Sequence, residues 1–136
     1  MSAEVSLSPG GHRWVLSGHR VTQVAVDLTS FRFQTWTLEA SAEIRLIVPF
    51  TFHEPDGVER RLDPEEPEQL APLLSLLGRA IELLVVTSRG ELQLAFGDGS
   101  SLHSVPHPRV DAWEVQGGGA LEGMAYRCAP GGGIPW

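Results

Sequence analysis

The stretch Gly90-Glu91-Leu92-Gln93-Leu94-Ala95-Phe96-Gly97-Asp98-Gly99-Ser100 decides the fold class. Leu92, Leu94 and Phe96 recur at every second position, the pattern of a strand with one buried face. Gly97-Asp98-Gly99-Ser100 comes next, and two glycines around an aspartate supply the positive φ values that a tight hairpin needs. The chain is therefore expected to reverse and return through Leu102 and Val105. The same grammar runs on to the end. Asp111 to Gln116 sets Trp113 and Val115 on one face, Gly117-Gly118-Gly119 loosens the chain, and Met124, Tyr126 and Cys128 alternate on the way back. Pro130 and the glycines after it make a turn, and Ile134 with Trp136 reads as an apolar pair docked on the core.

The earlier residues extend this reading. Val24, Val26 and Leu28 share a face, and Phe31 and Phe33 resume the alternation after Thr29-Ser30. From Glu43 to Phe52 one strand is expected, with Ile44, Leu46, Val48, Phe50 and Phe52 pointing one way. Pro49 within it lacks a ladder donor and predicts an edge strand or a bulge. Ile81 to Thr87 is apolar almost throughout, which suits a central strand covered on both faces. Asp63-Pro64-Glu65-Glu66 has the composition of a helix start, but Pro67 and Pro72 limit the segment after it to short turns. The second turn is expected over Pro72 to Leu77, with Gly78 as a left-handed cap.

Gly18, Val21, Val24 and Val26 match Gly78, Ile81, Leu84 and Val86 at an offset of 60 residues, and Phe31 and Phe33 match Leu92 and Leu94 one further on. Two hairpins also look alike simply because hairpins do. The fold expected is mainly β (α+β): two pseudo-repeated antiparallel β-meanders joined by a short helical segment, with half-repeats at residues 12–62 and 73–136. Residues 1–11, broken by Pro9-Gly10-Gly11, read as a flexible leader to a single globular domain at residues 12–136.

Composition narrows the function classes. A chain of 136 residues has the length of one domain, and its 42% apolar and 20% charged residues are those of a folded protein. Seventeen acidic against ten basic side chains give a net charge of -7, which repels a phosphate backbone and excludes nucleic acid as the expected partner. The absence of lysine removes Schiff-base chemistry. A single cysteine, Cys128, forms no internal disulfide, and no stretch has the length and apolarity of a membrane span. A soluble cytoplasmic protein is the expectation.

Few residues point to chemistry. His103 and His107 are four apart, but Pro106 and Pro108 prevent the helix that would bring both to one face; with Asp111 they form the best candidate for a metal or small-molecule site. His53, Glu54 and Asp56 sit beside a turn and read as solvated loop. Cys128 falls on the apolar side of its alternation, and Gly131-Gly132-Gly133 lacks the helix and lysine of a phosphate loop. No catalytic residue, metal or cofactor is therefore predicted. Four tryptophans remain. Trp113 and Trp136 fit core positions, and Trp14 and Trp36 are less patterned; all four are candidate interaction residues, since aromatics are enriched at contact centres.

The residues Leu76-Leu77-Gly78-Arg79, Gly90-Glu91-Leu92, Phe96-Gly97-Asp98-Gly99, Asp111-Ala112-Trp113-Glu114-Val115 and Cys128-Ala129-Pro130-Gly131-Gly132, with Trp136, resemble a small bacterial family of unknown function, the domain of unknown function 6188 type. The resemblance runs from about Leu16 onward and is strongest after Leu70. It implies a shared fold and transfers no catalytic residue. Three functions stand open: a non-enzymatic interaction module that occludes an unidentified protein partner, as immunity proteins and antitoxins do; a small-molecule or metal-binding protein or enzyme at His103, His107 and Asp111; and a structural homodimer subunit, if Pro49 marks a free edge covered by Trp36.

Overall fold

The computed structural model describes residues 3–7 and 11–132; Ile134 and Trp136, expected as a docked pair, lie outside the described residues. Among the described residues eleven strands succeed one another: β1 (Ala3–Leu7), β2 (Gly11–Val26), β3 (Phe31–Trp36), β4 (Ala40–Leu46), β5 (Phe50–His53), β6 (Glu59–Leu62), β7 (Ala80–Val86), β8 (Leu92–Phe96), β9 (Ser101–Ser104), β10 (Trp113–Gly119) and β11 (Ala125–Arg127). The protein is mainly β. Ten strands form one antiparallel sheet in the order β11-β10-β4-β3-β2-β7-β8-β9-β5-β6, with β1 beside β2. Ala3–Leu7, inside the stretch expected to be a leader, is thus a strand paired with Gly11–Val15.

The long strand β2 joins two arms. Its first part pairs with β7 through His12–Val15 and, after a register shift in which Gly18 takes φ +90°, through His19 and Arg20; Val21–Val26 then pairs with β3. Outward from the β2·β7 pair each arm is a three-strand meander, β2-β3-β4 on one side and β7-β8-β9 on the other. Each is then extended by a hairpin from the opposite half: β10-β11 adds to β4, and β5-β6 adds to β9. The two meanders are consequently fused into one sheet. They are not separate units joined only by the helical segment.

The arms face each other across the core. Phe33 of β3 and Phe96 of β8 approach to 6.3 Å between ring centroids, and His12 of β2 stacks on Tyr126 of β11 at 5.4 Å. Phe31, Phe33, Ile44, Leu46, Phe50, Phe52, Leu84, Leu92, Leu94 and Trp113 are all buried between them. Removing that much apolar surface from water, at about 25 cal/mol per Å², is the main term that holds the arms together.

Several local expectations need correction, beginning with β7, which is covered on one face only: Ile81, Leu84 and Val86 are buried, while Leu83 and Val85 are half-buried on the other. Glu43 to Phe52 is two strands: the chain leaves β4 at Leu46, Ile47 donates to Ala112 O at 3.0 Å, and β5 begins at Phe50 in the other arm. Pro49 marks that crossing, not an edge, because β4 lies between β3 and β10 and β5 between β9 and β6. Val26 and Leu28 are exposed beside the β2–β3 turn, so the buried side of β2 ends earlier than the alternation predicts. Helical structure over this region is a single 3-10 segment, Pro67–Leu76, that contains Pro72. Its buried residues Leu70, Leu73 and Leu76 recur every third position, the spacing of a helix with three residues per turn. Gly78 has the expected positive φ of +85°, but its amide donates to Val21 O at 2.8 Å, tying the segment's end to β2.

Candidate functional site

The four tryptophans separate once placed. Trp113 is fully buried, and its Nε1 donates to Gly90 O at 2.9 Å. Trp14 is buried as well, with no partner for its Nε1 among the described residues. Trp36 is 60% exposed at the end of β3, and Leu38, two residues on, is 92% exposed. Trp136 lies outside the described residues.

The β3–β4 turn that carries Trp36 and Leu38 is braced. Thr37 Oγ1 accepts from the amides of Glu39 and Ala40 at 3.3 and 3.0 Å, and Thr37 N donates to Ala40 O at 2.8 Å. A threonine hydroxyl closing its own turn in this way holds the tip in one shape. Across the sheet Trp36 is followed by Ser41 and then Gly118. Gly118 has no left-handed backbone requirement, and a Cβ there meets only the Ser41 side chain. A shallow hollow of about 300 Å³ lies beside Trp36, walled by Gln34, Ser41, Glu43 and Gln116 with Gly117 at its floor. Next to it Gln34 donates to Gln23, and Arg32 lies 3.8 Å from Glu43.

The outer face of the other arm differs in chemistry. Leu83, Val85 and Ala95 lie half-buried on it, with Gln93, Ser101, His53 and His103 around them, and together they form a hollow of about 310 Å³. His53 Nε2 is 3.0 Å from Glu59 Oε1, and His103 Nε2 is 2.8 Å from Glu91 Oε1.

His103, His107 and Asp111 each have a different partner, and they are not placed to share a metal ion. His103 is held by Glu91, His107 Nδ1 accepts from the Arg109 amide at 3.0 Å, and Asp111 faces Arg127 at 3.5 Å. Among the described residues no three His, Cys, Asp or Glu side chains are placed to hold a metal ion. Cys128 is buried, and burial pushes its thiol pKa up, away from nucleophilic character. The sequence shows His53 only as part of a loop; its pairing with Glu59 comes from the hairpin around Pro55-Asp56-Gly57, which puts the two opposite each other. No helix among the described residues is long and apolar enough to cross a membrane.

Residues 13–135 match the model of the Family of unknown function (DUF6188), and the chain belongs to that family. No curated protein and no solved structure matches it.

Proposed function

We propose that this chain is a non-enzymatic, cytoplasmic binding module that engages a protein partner through the β3–β4 tip. The reading is carried by one observation: Trp36 and Leu38 stand exposed together on a turn that Thr37 holds rigid, while Trp14 and Trp113 are buried. A pre-shaped aromatic and aliphatic pair loses little conformational entropy on docking, and tryptophan is the residue most enriched among binding hot spots. The acidic balance of the chain, -7, favours a basic partner surface and suits occlusion of another protein.

The test compares the intact chain with the double variant Trp36→Ala, Leu38→Ser as bait in lysate. A stoichiometric protein held by the wild type should bind the double variant at least about thirtyfold more weakly, the equivalent of about 2 kcal/mol. Equal retention by both would remove the tip as the contact. Leu83→Gln on the far face serves as the control that leaves this contact intact.

A further inference from the structure

We infer that the outer face of the second arm is a small-molecule site for a flat, largely apolar ring that carries an N–H or O–H donor. The inference is independent of the Trp36 tip, and it starts from a contrast within the sheet. In the first arm the outer positions run Gln23, Gln34, Glu43, Gln116 across β2, β3, β4 and β10. In the second arm the corresponding row runs Leu83, Ala95, Ser101, His53 across β7, β8, β9 and β5. Both rows cross four antiparallel strands in the same way. The polar row shows that strand pairing makes no demand for aliphatic side chains on this face, so Leu83, Val85 and Ala95 have another use.

The hollow they floor measures about 310 Å³, at the lower end of the roughly 300–1,000 Å³ that small-molecule sites occupy. Its rim determines the chemistry. A carboxylate only accepts hydrogen bonds, so the close contacts of Glu59 and Glu91 place the proton of each neutral imidazole on Nε2. Nδ1 is then the nitrogen that His53 and His103 each have to offer, and it is an acceptor. Gln93 and Ser101 can each accept or donate, so the two imidazoles set the preference. An apolar floor with acceptors at its edge is matched by a ring with a donor. Glu59 and Glu91 beside the rim would repel a bare carboxylate ligand.

The test uses two probes that differ by that donor, indole and 1-methylindole, titrated into the full chain while the methyl signals of Leu83, Val85 and Ala95 are followed by NMR. Indole should shift them saturably, with 1-methylindole at least about fivefold weaker, the size of one net hydrogen bond. In the double variant His53→Phe, His103→Phe, indole should weaken to the level of 1-methylindole. Equal affinity of the two probes in the wild type would overturn the donor requirement, with no reliance on a variant. Absence of saturation up to the solubility of indole would overturn the site. Methyl shifts that track protein concentration without any probe would overturn it too, and would assign the face to a second copy of the chain.

Discussion

Gly18 and Gly78 both take positive φ, at +90° and +85°, and each precedes a side chain that must be accommodated beside the β2·β7 pair: His19 in one half, Arg79 in the other. The two halves solve the problem in opposite ways. Arg79 is held by three contacts, with Nε 2.9 Å from Asp98 Oδ2 and its terminal nitrogens donating to Ser100 and Ser75 hydroxyls at 3.1 and 3.2 Å. His19 is 7% exposed, and its Nδ1 has no partner among the described residues. Burial therefore holds its pKa below the usual histidine value. Similar backbone positions thus carry a hydrogen-bonded ion pair in one half and a desolvated ring in the other. A left-handed glycine fixes the course of the chain and leaves the polar chemistry beside it free to diverge.

The largest effect expected tests what ties the two arms together. Trp113 and Phe50 each open the hairpin that crosses to the other arm, and both are fully buried. Truncating either to alanine should cost about 3–5 kcal/mol, read as a lower urea midpoint at constant slope. Trp113→Ala should cost the more, since it also strips Gly90 O of its donor. A Phe50→Ala variant unfolding at the wild-type midpoint would show that only one hairpin anchors the sheet.

The divergent part is tested next. Arg79→Ala removes three side-chain contacts and leaves Asp98 without its cation, at an expected cost of about 1–3 kcal/mol, since Asp98 is partly exposed and solvent recovers some of the loss. Burial alone pushes the Asp98 carboxyl up, but the Ser100 hydroxyl and amide and the Arg79 guanidinium outweigh it and hold the pKa low. Its stabilisation is present above about pH 3.8 and is lost as pH falls through the lower folded value. Arg79→Ala should therefore shrink the acid-side fall in midpoint. An unchanged profile would separate the ion pair from stability.

How far the sequence shows this molecule depends on which periodicity is in play. Leu92, Leu94 and Phe96, or Ile44 and Leu46, announce their buried side because a half-buried strand must alternate, and each is buried as read. Alternation is silent about neighbours. Val48 and Phe50 keep the parity of Ile44 and Leu46 straight through the crossing into the other arm, so ten residues read as one strand although they belong to two. Pro49 is the one visible sign. The surfaces are less legible still. The parity of Phe31 and Phe33 turns Trp36 outward while Trp113 keeps the parity of Val115, yet parity does not show that Leu38 stands exposed beside Trp36 at the turn. The Gly97-Asp98-Gly99-Ser100 turn brings back β9 without naming Glu91 as the partner of His103.

A smaller effect is expected from the desolvated ring. Above about pH 6.5 both the folded and unfolded states carry His19 neutral, so it adds no slope. As pH falls below that value the unfolded ring takes a proton that the folded ring resists, and the unfolded state gains. The stabilisation is thus present above pH 6.5 and lost toward the lower folded pKa. His19→Gln should flatten the change in urea midpoint between about pH 7.5 and about pH 5 relative to wild type. A slope identical in both would mean that His19 is protonated in place.

The smallest effect belongs to Trp36. Two tryptophans sit on strands that are neighbours of β4, Trp36 on β3 and Trp113 on β10, so they share a sheet and differ in the face they use. If packing alone explained both, truncation should cost comparable amounts. Exposure argues otherwise: at 60% exposed, Trp36 buries too little surface for its removal to be felt, and substitutions at such positions usually stay within about 0.5 kcal/mol. Trp36→Ala should therefore leave the urea midpoint close to wild type while Trp113→Ala collapses it. Because stability is untouched, any loss of partner binding by Trp36→Ala reports on the contact itself. A cost above about 2 kcal/mol would instead make Trp36 a packing residue, and the β3–β4 tip would lose its claim as the surface a partner reads.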